Sequence, residues 1–380
     1  YYRAGKGEYR MFQLTRRLTG GELPTVYTVD LRQELQEGNR SIFSRKLQEL
    51  MADRLNKGQQ TILFLNRRGY AGFVSCRSCG EVMKCPHCDV SLSEHKGGRL
   101  ICHYCGYTQP MPKLCPKCGS KYILGFKAGT QQIEEKLKEL YPGVRTLRMD
   151  ADTTRTKDSY EKILSSFANG EADVLIGTQM IVKGHDFPKV TLVGILAADL
   201  SLNASDYRAG ERTFQLLTQA VGRAGRGALP GEAVIQTYQP DHYAITCAAA
   251  QDYENFYQEE ILYRELSGYP PVAHMLAVQI YGKEEENAKQ LALRLTDVVK
   301  SNMDFLSGKQ KEQSNKKIQV LGPAPANISK INDIYRYVFY VKHAEYDVLV
   351  EVKDRLEETL RQWQPRQMSI QFDFDPVSVL

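Results

Sequence analysis

The sequence predicts an α/β chain made of a parallel sheet between helices, a cysteine-rich module inserted into it, and a smaller α+β domain at the end. Short apolar strands alternate with amphipathic helices between residues 41 and 238. Eight of the nine cysteines fall between Cys76 and Cys118, and residues 268–380 read β-α-β-β-α-β. A chain of 380 residues is long enough for two or three domains with substantial cores.

The first part opens with a helix period at Ser41–Lys57 and a short apolar strand at Thr61–Leu65. The elements predicted after the cysteines are, in chain order, a strand at Tyr122–Phe126, a helix at Thr130–Leu140, a strand at Val144–Met149, a helix at Lys157–Ala168, strands at Asp173–Ile176 and Val190–Leu196, a helix at Tyr207–Val221 and a strand at Glu232–Thr237. Apolar strands that alternate with helices favour a parallel sheet covered on both faces. The cysteine module is therefore predicted to be an insertion after the first strand of that sheet.

The last part has a different order of elements. Its predicted strands are Pro271–Tyr281, Ile318–Leu321, Tyr335–Val341 and Met368–Phe374, and its predicted helices are Glu284–Val299 and Ala344–Leu360. This order is the split βαβ, or ferredoxin-like, arrangement. Residues 239–267, with many Tyr and Glu residues, read as a helical connector between the two parts.

Composition and charge narrow the class of protein. The formal net charge of +5 is a mild basic bias, which suits a polyanionic partner without requiring one. The longest apolar run, around Thr191–Leu200, is too short to span a bilayer, and no signal peptide is visible. The chain opens without an initiator Met, which indicates a fragment. We expect a cytoplasmic protein with no membrane partner.

The clustered cysteines form four Cys-x-x-Cys pairs, which are Cys76/Cys79, Cys85/Cys88, Cys102/Cys105 and Cys115/Cys118. Two residues between the thiols let one tight turn aim both sulfurs at a single ion, and zinc is the usual metal for four thiolates. The pattern predicts two structural Zn²⁺ sites. Disulfides are one alternative, although they are typical of short secreted modules, and an iron–sulfur cluster is another, because it takes the same ligands.

The order of the pairs favours a nested arrangement. The thirteen residues between Cys88 and Cys102 can fold as a small hairpin, while the outer pairs lie where the module leaves and rejoins its host. We therefore expect one zinc to be held by Cys76, Cys79, Cys115 and Cys118, and the other by Cys85, Cys88, Cys102 and Cys105. The spacing also permits adjacent or interleaved pairing. The nearby His87, His95 and His103 are expected at the surface, since eight thiolates already fill both sites.

Two further segments carry chemical signals. The strand ending at Ile176 runs into residues 177–188, Gly-Thr-Gln-Met-Ile-Val-Lys-Gly-His-Asp-Phe-Pro, and ligands of open α/β sheets lie at such strand ends. The helix from Tyr207 leads into residues 219–227, Gln-Ala-Val-Gly-Arg-Ala-Gly-Arg-Gly. Its two arginines lie three residues apart on one face of a helical turn, and the planar guanidinium suits phosphate oxygens. We expect the glycines to let phosphates approach the backbone closely.

Residues 178–188 resemble motif V of superfamily 2 helicases, and residues 219–226 resemble their motif VI. With the zinc-type insertion in a second RecA-like lobe, the chain resembles the PriA family of replication-restart DNA helicases (primosomal protein N-prime). The Asp-Tyr-Arg-Ala-x-Glu-Arg run at 206–212 and the Asp-Phe-Asp-Pro run at 373–376 fit the same family. The resemblance covers essentially the whole chain.

The resemblance implies a role for each matching residue of the motor. Thr178, Gln179 and Lys183 would contact the DNA backbone. Residues near the sugar and phosphates of ATP would be Gly184, Asp186, Gln219 and Gly222, with Arg223 and Arg226 as catalytic residues and Arg226 as the arginine finger. A local turn cap is an alternative for Asp186, and a solvated side chain is an alternative for Lys183.

The resemblance also implies DNA contacts in the last domain, which in this family is similar to a small-subunit ribosomal protein and is associated with branched DNA. Lys330 and Arg336 are the candidates here. Tyr335, Arg336 and Tyr337 interleave aromatic and cationic side chains as single-strand binders do, where a stacked base is worth roughly 1–3 kcal/mol. The same alternation fits an ordinary strand with one solvated face.

The chain departs from a complete motor in two ways. It contains neither Gly-x-x-x-x-Gly-Lys-Ser/Thr nor any Asp-Glu dipeptide, so the phosphate cradle and the Mg²⁺ ligand belong to a first lobe outside this chain. We therefore expect the chain alone neither to hydrolyse ATP nor to unwind DNA.

The implied domains are residues 1–40, the end of the first lobe and a connector; 41–75 and 119–238, the RecA-like lobe 2; 76–118, the two-zinc module; 239–267, the helical connector; and 268–380, the ribosomal-protein-like domain.

The implied activity is that of an ATP-dependent 3′–5′ DNA helicase that recognises stalled or branched replication forks and assembles the primosome for replication restart. Its ligands would be two Zn²⁺, ATP and Mg²⁺, and its partners forked and single-stranded DNA, single-stranded DNA-binding protein, primosome proteins and the replicative helicase loader. The alternative is a non-catalytic scaffold that binds forks and recruits the primosome. The zinc module would serve as a DNA wedge or as a protein-docking surface.

Overall fold

The computed structural model describes residues 1–14, 22–65, 74–88, 90–95, 98–125, 129–150, 152–154, 157–182, 186–301 and 317–377. The strands are β1 Thr25–Asp30, β2 Gln60–Phe64, β3 Val74–Cys76, β4 Ser93–His95, β5 Arg99–Ile101, β6 Thr108–Pro110, β7 Ile123–Gly125, β8 Thr146–Met149, β9 Val174–Gly177, β10 Val190–Ile195, β11 Glu232–Thr237, β12 His274–Gly282, β13 Gln319–Ile331, β14 Ile334–His343 and β15 Met368–Phe374. The helices are α1 Tyr2–Gly5, α2 Leu31–Gln36, α3 Arg45–Asn56, α4 Thr130–Leu140, α5 Lys157–Ala168, α6 Asp199–Leu202, α7 Ala209–Val221, α8 Tyr243–Ala250, α9 Tyr253–Ser267, α10 Glu285–Ser301 and α11 Tyr346–Trp363. A 3₁₀ helix covers Gln179–Val182.

The chain forms two compact units, each assembled from three segments. The first unit contains Tyr1–Val82, Pro112–Ala204 and Arg208–Tyr257, and the second contains Met83–Met111, Ser205–Tyr207 and Gln258–Leu380. The cysteine module is thereby divided, with its outer pairs in the first unit and its inner pairs in the second. None of the described helices combines the length and the apolar character that crossing a membrane requires.

The first unit is built on a six-stranded sheet in the order β1-β11-β10-β2-β9-β8, in which all neighbours are parallel. Its central strands β2, β9 and β10 are buried at every position. One face packs against α3 and α4 through residues such as Leu47 and Ile133. The other face packs against α5, α7 and α8 through residues such as Phe167 and Phe214. Coverage on both faces explains why these strands are mostly apolar, as predicted.

Two strands differ from the sequence prediction. The segment 1–40 was assigned to the first lobe and a connector, yet β1 forms the edge of this sheet by pairing with β11. The predicted strand near residues 122–126 is present as β7, but it pairs antiparallel with β3 and lies outside the six-stranded sheet. Both differences concern pairing partners, which are set by contacts between distant parts of the chain rather than by local pattern.

The second unit contains a four-stranded antiparallel sheet in the order β13-β14-β12-β15. With α10 and α11 it confirms the predicted ferredoxin-like order. The two helices cover one face, where Leu291 and Leu349 pack against strand residues that include Phe339. A separate three-stranded sheet, β4-β5-β6, belongs to the inner part of the cysteine module. Its β4–β5 pairing is the hairpin predicted between Cys88 and Cys102.

Candidate metal centres and motor site

The eight clustered cysteines lie in two groups of four. The first group is Cys76, Cys79, Cys115 and Cys118, and the second is Cys85, Cys88, Cys102 and Cys105. Within each group the sulfurs all lie within 4.8 Å of one another. This is the nested grouping, in which the outer pairs share one site and the inner pairs the other.

All four Cys-x-x-Cys turns share one backbone design. The amide of the first cysteine donates to the carbonyl oxygen five residues later, as Cys76 does to Glu81 at 2.8 Å and Cys102 does to Tyr107 at 2.8 Å. In three turns the residue after the second cysteine is a glycine with positive φ, and its amide bonds the carbonyl of the first cysteine. These glycines are Gly80, Gly106 and Gly119. The turn thus places both sulfurs on the same side of the backbone.

The sulfur geometry fits a single ion in each group. The Cys76–Cys118 and Cys79–Cys115 sulfur pairs are 3.6 Å apart, and the Cys85–Cys105 pair is 3.5 Å apart. Four thiolates about 2.3 Å from a tetrahedral zinc would be about 3.8 Å apart. None of the eight cysteines forms a disulfide bond, which excludes the disulfide alternative. The chain therefore carries a zinc-binding cysteine cluster.

The neighbouring histidines have other partners. The His95 and His103 Nε2 atoms are 3.1 Å apart, and His103 Nδ1 lies 3.0 Å from the Pro325 carbonyl oxygen. His87 makes an edge contact with the ring of Tyr107. The surface position predicted for His103 is wrong, because its side chain is buried within the second unit.

The segments predicted to form the motor site lie at opposite edges of the parallel sheet. Thr178 follows β9, at the edge where the strands end, and its amide bonds the Met149 carbonyl oxygen at 3.3 Å. Asp186 precedes β10 and Arg226 precedes β11, at the edge where the strands begin. Thr178 and Gln179 therefore lie at a strand end, as predicted for residues 177–188, whereas Asp186 of the same segment does not. The arginines lie at the other edge because α7 carries the chain back across the sheet before β11.

Arg226 and Asp186 form a long, solvent-exposed ion pair. The Arg226 guanidinium is 3.9 Å from the Asp186 carboxylate, and the two side chains are 37% and 66% exposed. Arg226 Nε, a nitrogen of the same guanidinium, also donates to the Gly222 carbonyl oxygen at 2.8 Å. Arg223 is half-buried, and burial together with the nearby charge of Arg226 lowers its pKa. Two guanidinium groups therefore lie side by side at this edge.

The glycines around these arginines accommodate the protein's own backbone. Gly225 has φ +66°, and a Cβ on it would lie 2.4 Å from the Gly231 nitrogen. A Cβ on Gly227 would lie 2.4 Å from the Pro188 carbonyl oxygen. These glycines were predicted to let phosphates approach the backbone. The structure shows instead that a side chain at either position would collide with a neighbouring backbone segment. This packing fixes the loop that carries Arg223 and Arg226.

The remaining predicted motor residues are only partly placed. Gln219 is exposed near the end of α7, and Gly222 is the residue that ends the helix. Lys183 and Gly184 lie outside the described residues. Gln179 begins the 3₁₀ helix that follows Thr178.

Asp199 is a buried acid that the sequence analysis missed. It follows β10 and accepts hydrogen bonds from Thr237 Oγ1 at 2.9 Å and from the Tyr238 amide at 3.1 Å, just after β11. Burial raises its pKa to about 6. An acidic residue that closely follows a mostly apolar, fully buried strand was the available signal.

In the four-stranded sheet, the Tyr335-Arg336-Tyr337 alternation does not form one surface. Arg336 lies over the ring of Tyr281 on the neighbouring strand, 5.8 Å from its centroid. Tyr337 is buried among the core side chains, and its hydroxyl donates to Glu285 at 3.3 Å. Lys330 lies over the ring of Tyr335 at 4.8 Å and pairs with Asp333 at 2.9 Å. Tyr281, the aromatic partner of Arg336, was missed because strand register cannot be read from one strand alone.

Three family models match separate parts of the chain. The Helicase conserved C-terminal domain matches residues 114–228, the PriA DNA helicase Cys-rich region domain matches 85–110, and the Primosomal protein N C-terminal domain matches 265–377. The fold and the sites thus define a class: a helicase C-terminal lobe that carries a zinc-binding cysteine insertion and a ferredoxin-like final domain.

Curated relatives specify the family. The chain is 44% identical to the replication restart protein PriA of Bacillus subtilis over 100% of this chain and 46% of that protein. It is 41% identical to that of Synechocystis over 97% of this chain and 43% of that protein. The chain belongs to the PriA family, and it spans a little under half the length of these relatives. Among solved structures, S. cerevisiae Dbp5 bound to RNA and ADP BeF3 aligns with 70% of this chain and 51% of its own at 12% identity and a TM-score of 0.33.

Proposed function

We propose that this chain is the second motor lobe, zinc module and C-terminal domain of an ATP-dependent 3′–5′ DNA helicase. The complete protein would recognise stalled or branched replication forks and assemble the primosome for replication restart. Family membership supports the reaction class, and the separation of the two motor segments supports a motor rather than a simple binding module. One edge of the sheet would contact DNA, while the other would contact the nucleotide.

The observation that carries this proposal is the exposed Arg226 beside Asp186. An arginine oriented by the bond from its Nε to the Gly222 carbonyl, with a terminal guanidinium nitrogen only loosely paired with Asp186, can stabilise negative charge on a transferring phosphoryl group. Arg223 would bind the same phosphates, and Gln219, Gly222, Gly184 and Asp186 would line the nucleotide. When bound, ATP with Mg²⁺ supplies the phosphoanhydride whose cleavage drives such motors.

At the other edge we propose that Thr178, Gln179 and Lys183 contact the DNA backbone. In the last domain, Arg336 over Tyr281 and Lys330 over Tyr335 would contact single-stranded or branched DNA. An arginine that stacks on a ring can meet a base face and a phosphate together. Each cysteine group would hold one structural Zn²⁺ and so fix the fold of the module.

Further partners rest on the family alone. Single-stranded DNA-binding protein, primosome proteins and the replicative helicase loader are proposed on that basis, with action in the bacterial cytoplasm at the nucleoid. The chain by itself is proposed to hydrolyse no ATP, because its sequence has neither the Gly-Lys-Ser/Thr cradle nor an Asp-Glu pair for Mg²⁺. A DNA-dependent ATPase rate of the isolated chain that Arg226→Ala abolishes would contradict this.

The test of the proposed function is strand separation by the complete polypeptide that contains this chain. Forked DNA substrates would carry a single-stranded arm of either polarity, with and without ATP. We expect ATP-dependent separation only when the arm offers a 3′–5′ track toward the duplex. Forks that are bound tightly but never separated would instead support the non-catalytic scaffold.

A further inference from the structure

A buried tyrosine cluster lies within the second unit, formed by Tyr104, Tyr207, Tyr269 and Tyr340. None of the four is more than 2% exposed. The ring of Tyr104 stacks on that of Tyr340 with centroids 5.0 Å apart, and the ring of Tyr207 stacks on that of Tyr269 at 4.8 Å. Tyr104 and Tyr269 meet edge to face at 6.4 Å. The tyrosine cluster is therefore one continuous packed body.

Polar and cationic contacts fix Tyr207 in this cluster. Its backbone amide donates to the Tyr104 hydroxyl at 3.2 Å, and its own hydroxyl donates to the Pro376 carbonyl oxygen at 3.4 Å. The Arg264 guanidinium lies over its ring, 4.9 Å from the centroid. A buried amide that loses its acceptor costs roughly 1–3 kcal/mol, so the Tyr104 hydroxyl contributes measurably to this position.

The inner part of the zinc module holds the segment Ser205–Tyr207 from both ends. Ser205 Oγ donates to the Ser91 carbonyl oxygen at 2.7 Å and lies 3.0 Å from Ser93 Oγ. Tyr104 lies between Cys102 and Cys105 in sequence, two ligands of the inner site. Three residues of the motor sequence are thus built into the second unit.

The chain continues directly from Tyr207 into α7. Arg208 precedes the helix, which runs from Ala209 to Val221 in the first unit. Arg223 and Arg226 follow at the far end, where the Gly225 amide bonds the Val190 carbonyl oxygen at 3.0 Å and Gly227 packs on Pro188. The arginine end of the helix is therefore fixed by contacts that do not involve the tyrosine cluster.

We propose that Tyr104 is a positioning residue that couples the motor to the zinc module and the C-terminal domain. Its hydroxyl holds Tyr207, and Tyr207 holds the chain immediately before the helix that leads to the motor arginines. The chemistry lies at the other end of that helix, so loss of this bond uncouples strand separation from ATP turnover and leaves turnover itself intact. This inference rests on the proposed function.

The test uses the complete polypeptide with Tyr104→Phe, which keeps the ring stack and removes only the hydroxyl. The matched control is Tyr107→Phe, because Tyr107 lies in the same module and its hydroxyl donates to Gln109, at 3.2 Å, rather than to the Ser205–Tyr207 segment. The readouts are the kcat of fork-stimulated ATP hydrolysis and the number of base pairs separated per ATP. We expect Tyr104→Phe to leave kcat within twofold and to lower base pairs per ATP about fivefold, while the control changes neither.

Two results would overturn the inference: an unchanged number of base pairs per ATP, or a kcat that falls in parallel with strand separation. If the parent protein neither hydrolyses ATP nor separates strands, the proposed function fails and this inference falls with it. Zinc content and thermal melting of each variant verify its folding. If Tyr104→Phe loses zinc, Tyr207→Phe takes its place, because it removes the bond to Pro376 away from the cysteines and is expected to lower the same ratio.

Discussion

Arg226 differs from an ordinary surface arginine in how loosely it is paired. Its guanidinium is 3.9 Å from a carboxylate that is itself 66% exposed, and exposed pairs of this kind contribute at most about 1 kcal/mol. Arg145, at the same edge of the sheet, is bound to Asp173 at 2.5 Å with a second bond at 3.2 Å. Arg226 therefore gives up little when an anionic ligand arrives, whereas Arg145 is already committed to a structural pair.

Asp199 gives a prediction at the same scale. Its pKa is raised to about 6, above the ordinary 3.8, because the carboxylate is fully buried. A raised carboxylate pKa means that the folded state binds more protons than the unfolded state between about pH 4 and pH 6, so folding stability falls as the pH rises through this window. Asp199→Asn mimics the protonated acid and escapes this loss.

We therefore expect the free energy of unfolding of Asp199→Asn, minus that of the parent, to increase between pH 4 and pH 6 and to level off above, which means that the variant becomes relatively more stable. The measurement is denaturant unfolding of both proteins at each pH, with the difference taken so that other titrating groups cancel. A difference that is flat across the window would show that burial does not raise the pKa of Asp199. A difference of the opposite slope would show that its hydrogen bonds outweigh burial.

At the scale of elements, the loop after α7 depends on glycines for its shape. Gly225 needs both a positive φ and the absence of a Cβ, because Gly231 backbone atoms lie 2.4 and 2.7 Å from where that Cβ would be. Gly143 also has positive φ, +88°, but a Cβ there would meet nothing within 4 Å. Alanine variants at the two positions therefore distinguish two costs: left-handed strain alone at Gly143, and left-handed strain together with steric overlap at Gly225.

We predict that Gly143→Ala lowers the melting temperature by roughly 2–4 °C, the effect of about 1 kcal/mol of left-handed strain. Gly225→Ala should lower it at least twice as much, because backbone atoms cannot move aside as a flexible side chain would. Thermal unfolding followed by circular dichroism provides the comparison. Equal shifts for the two variants would mean that the loop relaxes and that the close packing is not needed to hold the arginines.

The four cysteine turns form two four-cysteine groups, so we predict two metal sites that can be lost independently. The parent chain should contain two zinc ions, and Cys88→Ala should reduce this to one, because only the inner group loses a ligand. Cys247→Ala is the matched control, since Cys247 is buried but belongs to neither group, and it should retain two ions. The zinc content of the parent and of each variant is measured by mass spectrometry. One ion in the parent, or none in Cys88→Ala, would contradict two independent sites.

At the scale of the whole molecule, the features that depend on residues close together in the sequence could be predicted from it. Continuous apolar strands between helices predicted the parallel sheet, and the Cys-x-x-Cys spacing predicted two four-sulfur groups. What depends on pairing across the chain was not predictable from one strand or helix. The place of β1 at the sheet edge, the pairing of Arg336 with Tyr281, and the burial of His103 against Pro325 all arise from contacts between residues far apart in sequence.

The positions of the predicted motor residues relative to the sheet were likewise not predictable from local patterns. The motif residues were identified from sequence, but their placement at opposite edges follows from the return of the chain through α7. In the proposed function, this separation would let one edge of the lobe contact DNA and the other contact a nucleotide.

The most direct test of this account is fork-stimulated ATP hydrolysis by the complete polypeptide, comparing the parent with Arg226→Ala and with Arg145→Ala as the matched control. The account predicts a rate that requires DNA, falls by about 10³ in Arg226→Ala, and is unchanged in Arg145→Ala. A normal rate in Arg226→Ala would contradict the assignment of Arg226 as the arginine finger and, with it, the motor described here.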